Sequence, residues 1–198
     1  MKNIFYRYTF LGILNLIKSF IFTKLFYPHA RLIRLPFDIR GKQQISFGCN
    51  FTTGFNCRLE VHDDNFRKKA LIIGNNVQIN DFVHIAAKES VTIGDNVLIA
   101  SKVFISDISH GIYSGDFQDH PDSIPVSRKI YGKPVVIESN VWIGESVNIL
   151  SGVTIGFGSI IGAGTIVSKN VPPNSIVVGN PARVIKKFNS AKNNWERF

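Results

Sequence analysis

Residues 135–171, read in groups of six, run VVIESN VWIGES VNILSG VTIGFG SIIGAG TIVSKN V. Ile137, Ile143, Ile149, Ile155, Ile161 and Val167 hold the third place of each group without a slip. Val141, Val147 and Val153 hold the first place, followed by Ser159, Thr165 and Val171. A period of six matches neither the roughly 3.6 of an amphipathic helix nor a hairpin meander with turns every 8–12 residues or so. It is the pattern of a parallel β-helix, in which each short strand points one large aliphatic side chain inward before a turn. Coils stacked about 4.8 Å apart then pair their backbones and bury a continuous aliphatic column.

The same phase extends upstream. Ile73, Ile79 and Ile85 precede Ile93, Ile99 and Ile105, with Val77, Val83, Val97 and Val103 as companions. Phe47, Thr53 and Leu59 also fit, which puts Phe51 and Cys57 at companion sites and makes Cys57 a small buried corner residue. Gly74-Asn75-Asn76, Gly94-Asp95-Asn96 and Ser139-Asn140 supply turn residues that tolerate unusual backbone angles.

The breaks in phase are equally informative. Ile85 to Ile93 spans more than six residues, which predicts a small bulge near Lys88. Residues 107–134 carry no hexad and hold Gly, Pro, Asp, His and Arg, as an exposed functional loop does. Pro172-Pro173 stops the coil, and Val184-Ile185-Lys186-Lys187 predicts a strand followed by a helix capping the open end. The expected fold is therefore all-β. A basic N-terminal amphipathic helix and lead-in occupy 1–44, the β-helix with its protruding loop 45–187, and a tail 188–198.

The net charge of +9 is concentrated at the N-terminus. Lys2, Arg7, Lys18, Lys24, Arg31, Arg34, Arg40 and Lys42 are opposed only by Asp38 before Glu60. Such a segment suits an anionic partner, a membrane surface or a nucleic acid. Lys18 and Lys24 interrupt its apolar runs, which fall short of the roughly 20 residues of a membrane span. No small-residue cleavage site of a secretory signal follows. At helical spacing Asn3, Arg7, Asn15 and Lys18 share one side, and Phe, Leu and Ile fill the rest. A helix of this kind lies in a membrane interface or packs on protein. Cys49 and Cys57 form no CxxC and sit beside no His cluster, so no metal is expected. Two thiols agree with a reducing compartment.

Several motifs extend these readings. Val91-Thr-Ile-Gly-Asp-Asn-Val-Leu-Ile-Ala100, Asn140-Val-Trp-Ile-Gly144, Ile161-Gly-Ala-Gly-Thr165, Val171-Pro-Pro-Asn174 and Gly179-Asn-Pro-Ala-Arg183 stand in order along the chain. Over about Phe47 to Lys187 the sequence resembles the hexapeptide-repeat acyltransferase family, in its galactoside and maltose acetyltransferase branch. With Ile33-Arg-Leu-Pro36 and Trp195-Glu-Arg197 included, the whole chain is similar to bacterial O-antigen (lipopolysaccharide) O-acetyltransferases. The resemblance implies a left-handed β-helix, acetyl-CoA as co-substrate and a sugar or lipid-linked glycan as acceptor. It further implies a homotrimer with sites between subunits. The family's catalytic histidine falls on His110, within Asp107-Ile-Ser-His110 where relatives often carry Asp-His-x-His. Its acceptor-contacting asparagine falls on Asn80 and its active-site tryptophan on Trp142. CoA contacts fall on Ala163, Ser168, Lys169, Arg183 and Lys186.

These residue types suit acyl transfer. A sugar hydroxyl is a poor nucleophile until a base takes its proton, which neutral imidazole does near pH 7 for a gain of about 10²–10⁴-fold. The charge developing on the thioester oxygen needs a fixed donor, and the backbone N–H of Glu145 is the candidate. Lys169, Arg183 and Lys186 offer cations to the CoA phosphates, while Gly162-Ala-Gly164 allows close approach. In the loop, Tyr113, Asp116, Asp119, His120 and Arg128 are candidate acceptor contacts. The main rival is N-acetyl transfer to a nucleotide-linked amino sugar. A γ-type carbonic anhydrase needs three converging histidines, whose pair spacing His62, His84, His110 and His120 lack. A scaffold or nucleic-acid binder leaves His110, Asn80 and Trp142 unexplained, so no nucleic acid is expected. Acetyl-CoA places the reaction in the cytoplasm, at the inner membrane face if the acceptor is lipid-linked.

Overall fold

The structure, a computed structural model, describes residues 8–62 and 69–198. It is a left-handed parallel β-helix whose three sheets form the walls of a triangular coil. Wall I stacks Thr52–Thr53, Gln78–Ile79, Leu98–Ile99, Trp142–Ile143, Ile160–Ile161 and Ser175–Val178. Wall II stacks Phe37–Arg40, Cys57–Val61, His84–Ala87, Phe104–Ser106, Asn148–Ile149 and Ile166–Val167. Wall III stacks Ile45–Phe47, Leu71–Ile73, Val91–Ile93, Val135–Ile137 and Thr154–Ile155.

Each wall carries one inward column in perfect register. On wall II it runs Leu59, Ile85, Ile105, Ile149, Val167. Wall I aligns Thr53, Ile79, Ile99, Ile143, Ile161 and Val177. Wall III aligns Phe47, Ile73, Ile93, Ile137 and Ile155. The isoleucines among them are buried, each contributing roughly 1.5–3 kcal/mol against conformational entropy. Ser159 and Thr165, the hydroxyls at companion places, are buried too. Ser159 Oγ donates to the Pro172 carbonyl at 2.9 Å, and Thr165 Oγ1 accepts from Gly179 N at 3.1 Å.

The III/I corner shows why asparagine recurs in the turns. Asn50, Asn76, Asn96 and Asn140 take left-handed φ values of 61°, 56°, 57° and 61°. Their side-chain amides stack into a ladder, Nδ2 to Oδ1, at 3.0, 3.0 and 3.2 Å. Each amide thus serves its own turn and the rung above.

The two ends depart from expectation. No capping helix closes the C-terminus. Arg183–Asn189 and Asn194–Arg197 form an antiparallel hairpin on the Ser175–Val178 edge of wall I. Exposure alternates along Arg183–Asn189, the two-residue period of a strand, and a strand satisfies the edge's open backbone groups where a helix cannot. At the other end the coil starts earlier than residue 45. Phe37–Arg40 already pairs in parallel with Cys57–Val61, and Leu32 bridges Thr52.

Helix α1 spans Phe10–Phe26, capped by Thr9 Oγ1, which accepts from Gly12 N at 3.2 Å. It sits on the outermost coil, and Tyr27 just beyond it meets the Phe37 and Phe47 rings edge-on. Asn3 and Arg7 lie outside the described residues. Among those described, the fully buried helix residues are the polar Ser19 and Thr23, with Phe22 partly buried beside them against the core, whereas Phe10, Leu11 and Leu25 are exposed.

Candidate active site

Residues 107–134 leave the coil at the II/III corner, and one buried carboxylate holds their base. Asp107, at the end of its rung, accepts from the backbone N–H groups of Lys88, Glu89 and Ser90, each at 2.7 Å. The bulge expected near Lys88 is thus the receptor for Asp107. Burial pushes the Asp107 carboxyl above its ordinary value against the pull of these three donors. Its carbonyl accepts from Ser151 Oγ at 2.7 Å and Lys133 N at 3.1 Å, which joins both ends of the loop to the next rung.

The loop opens as a two-stranded hairpin, Ile108–His110 against Ile130–Gly132, with His110 opposite Ile130. Gly132 allows the hairpin to sit close, because a Cβ there would lie 2.7 Å from Glu89 Cβ and 2.8 Å from its N. His110 is exposed, and its imidazole has no hydrogen-bond partner among the described residues. The Tyr113 hydroxyl donates to the His110 carbonyl and accepts from Arg128 Nη1 at 2.8 Å. Arg128 Nη2 also donates to the Ser123 carbonyl at 2.7 Å, and Asp119 Oδ2 accepts from Ile112 N at 2.8 Å. Tyr113, Arg128 and Asp119 therefore shape the loop that presents His110. His120 pairs with Asp122 at 3.4 Å, and Asp116 is exposed. A cleft of about 260 Å³ beside the hairpin is lined by Ser109, Tyr113, Tyr131, Lys133 and Ser151. Ser109 and not His110 faces it, since neighbouring strand residues point to opposite sides. Ser168 and Lys169 follow Ile166–Val167 on this same corner, both exposed.

The remaining expected residues gather elsewhere. Asn80 follows Gln78–Ile79 at the I/II corner, where its Oδ1 accepts from Gln78 Nε2 at 3.0 Å. Cys57 supports it from below. This buried thiol donates to the Asn80 carbonyl at 2.9 Å, and burial pushes its pKa up to about 11. Phe82 stands two residues on, half-exposed, with φ at 59°. A bulky residue in that region is rare, and the hexad pattern does not flag it. Trp142 projects from wall I and is half-exposed. Glu145 lies just beyond at the I/II corner and pairs with Lys102 at 3.2 Å. Its backbone N–H has no partner among the described residues. Ala163 tops the same corner one rung later, and Gly144 must be glycine because a Cβ would come within 2.6 Å of Ala163 N. Arg183 and Lys186 lie on the strand added to the edge of wall I.

The expected site is therefore divided. His110, Ser168 and Lys169 stand on the II/III corner. Asn80, Glu145 and Ala163 line the I/II corner, with Trp142, Arg183 and Lys186 on the adjoining wall I. Wall II separates the groups by one hexapeptide side, at most about 20 Å of extended chain. Across that wall Glu60, buried, ties three rungs together. It accepts from Arg58 at 2.7 Å and lies 2.8 Å from His84 Nε2, 3.5 Å from His62 Nε2 and 3.4 Å from Arg40 Nη1. Burial alone would raise its pKa, but the hydrogen bonds from Arg58, His84 and His62 and the Arg58 charge outweigh it and hold the carboxyl at about 2. Among the described residues no cluster of three metal-ligating side chains occurs.

Residues 134–169 match the family described as bacterial transferase hexapeptide (six repeats). The chain is 42% identical over 192 residues, 96% of each partner, to WbbJ of Escherichia coli (strain K12), a protein named for lipopolysaccharide biosynthesis O-acetyl transfer. A hexapeptide-repeat acetyltransferase from Vibrio cholerae, solved with acetyl coenzyme A, is 28% identical. It covers 76% of this chain and 75% of its own, with a TM-score of 0.52. AntD, an N-acyltransferase from Bacillus cereus, superposes at a TM-score of 0.66 over 82% of this chain and 84% of its own. At 23% identity that is a likeness of fold alone.

Proposed function

The chain belongs to the bacterial hexapeptide-repeat transferases and is an acetyltransferase, and from that premise we propose that it moves the acetyl group of acetyl-CoA onto a sugar hydroxyl of a surface polysaccharide or O-antigen precursor. One observation carries the acceptor class. The likeness to WbbJ runs over 96% of both chains, so it takes in both corners and the N-terminal region as well as the repeats.

In this reading the His110 imidazole takes the hydroxyl proton as the sugar oxygen bonds to the acetyl carbonyl carbon. The carbon–sulfur bond then breaks, and the CoA sulfur leaves as the thiol, carrying that proton. Asn80 orients the acceptor, and the unpartnered N–H of Glu145 faces the developing oxyanion. Trp142 and Ala163 flank the CoA arm, while Ser168, Lys169, Arg183 and Lys186 meet its polar and phosphate groups. The divided geometry supports a homotrimer in which the II/III corner of one subunit meets the I/II corner of the next. Acetyl-CoA supply places the reaction in the cytosol, and a lipid-linked acceptor places it at the inner face of the membrane.

The test is CoA-thiol release from acetyl-CoA with a panel of hexoses, lipid-linked oligosaccharides and nucleotide amino sugars, for wild type and His110→Ala. Release should depend on a hydroxyl acceptor and drop by about 10²-fold or more in the variant. Equal release by both proteins removes His110 as the base. A response confined to amino sugars replaces O-transfer with N-transfer.

A further inference from the structure

A surface helix ordinarily buries its apolar stripe and shows its polar side to water. Helix α1 buries two hydroxyls fully and, of its large apolar side chains, packs Phe22 on the core while most of the others stay exposed. Leu35 N donates to Ser19 Oγ at 3.1 Å and Ile33 N to Thr23 Oγ1 at 2.8 Å, so two buried hydroxyls fix which side meets the coil. That orientation leaves Phe10, Leu11, Phe20, Ile21, Leu25 and Phe26 each more than half exposed. The surrounding charge has one sign: from residue 10 to residue 37 there are Lys18, Lys24, Arg31 and Arg34 and no acid. A groove of about 450 Å³, walled by Leu16, Ile17, Phe20 and Leu32, has Arg31 at its rim.

We propose that α1 is an interfacial anchor that lays the N-terminal end of the coil on an anionic lipid bilayer. No helix among the described residues is long and apolar enough to cross a membrane, so α1 lies flat, its apolar side in the acyl boundary and its cations at the headgroups. A second copy of this chain fits the face less well, because an isologous contact would set these cations against themselves without an acid to answer them. Position favours the same occupant. The corners that must meet in the assembly are on the sides of the coil, while α1 covers its end. Side-by-side subunits would therefore present three α1 faces in one plane, as a bilayer requires. The rung that bears residues 107–134 is the fourth on wall II, about 15 Å above the outermost one. That height suits a glycan held by a lipid carrier, and to this extent the anchor rests on the surface-glycan reading.

The full chain is to be sedimented with vesicles of phosphatidylethanolamine and phosphatidylglycerol, and separately with phosphatidylcholine alone. Pelleting is expected with the anionic vesicles, weakened at about 0.5 M salt. Phe20→Asp with Leu25→Asp should reduce it more than 10-fold, and Lys24→Glu with Arg31→Glu by about fivefold or more per charge. Light scattering should give both variants the wild-type mass. Absence of pelleting on anionic vesicles, or pelleting untouched by the substitutions, overturns the anchor. A smaller assembly in Phe20→Asp with Leu25→Asp also overturns it, because a second copy would then be the occupant. Thiol release with soluble acceptors is read in the same samples. Its loss with vesicle binding intact counts against the glycan reading and leaves the anchor standing.

Discussion

The two corners that flank wall II obey the same six-residue rule and end in opposite characters. At the I/II corner the rule is kept: Asn56, Phe82, Lys102 and Ser146 take φ values of 55°, 59°, 60° and 58° on successive rungs, so the turns form a straight rail. At the II/III corner the rule is broken repeatedly, since the inward residues step from Ile39 to Phe47, Leu59 to Ile73, Ile85 to Ile93 and Ile105 to Ile137. Asp107 joins the last two of these breaks, the bulge at 88–90 and the excursion over 107–134. A repeat can present one residue per rung in a line, but a base meeting its acceptor from the opposite side needs a departure from the line. In the proposed reaction the rail would hold the partners and the departure the base, one wall apart. A single chain cannot bring them together.

The largest effect should follow from cutting the joint at the irregular corner. Asp107→Ala leaves three N–H groups without their acceptor and frees the hairpin base. We expect kcat to fall by about 10²-fold while acetyl-CoA binding, measured by calorimetry, changes little. Equal losses in both would mean that the corner supports the coil as a whole.

The wall between the corners comes next. With a folded pKa of about 2 against 4.5 for the free side chain, Glu60 contributes stability that is full above pH 4.5 and disappears as pH falls toward 2. That shift corresponds to roughly 3 kcal/mol at most. Glu60→Gln should therefore lower unfolding stability by about 2 kcal/mol at pH 7, and the gap to wild type should narrow between pH 4.5 and pH 2. Urea titrations at pH 7, 5 and 3 check this. A gap that does not change with pH would show that the carboxylate charge is not what joins the rungs.

Wall I, beside the rail, should yield the smallest change. Trp142 is half-exposed and bonds to nothing through its side chain among the described residues. Trp142→Ala should raise the acetyl-CoA KM about 10-fold with kcat within twofold. A fall in kcat alone would move Trp142 from CoA to the acceptor.

What could be read in advance follows from the same contrast. The inward columns were legible to the register of individual residues, because an isoleucine every sixth place has one geometric solution. Cys57 as a buried corner residue follows from that phase. Asp107 was visible only as part of a motif; its partners are backbone groups, which sequence does not label, although the overlong step from Ile85 to Ile93 marked where they are. The strand over Val184 to Lys187 is legible in the sequence, but the helix expected after it is not formed, because the chain turns back as Asn194–Arg197 and extends the open edge of wall I instead. The N-terminal helix is legible in the sequence, but its facing is not. Two hydroxyls, Ser19 and Thr23, choose the buried side through bonds to a segment ten or more residues away, against the apolar bulk of the helix.

The divided site is tested most directly by mixing two inactive chains. His110→Ala retains an intact rail, and Asn80→Ala retains an intact base. Each alone should be nearly inactive. Co-expressed in equal amounts and purified together, they should form about one intact site in four, since each shared site draws its base and its rail independently from the two kinds of chain. Recovery of roughly a quarter of wild-type activity is the predicted result. Mixed assemblies no more active than the separate variants would contradict a site shared between neighbouring subunits.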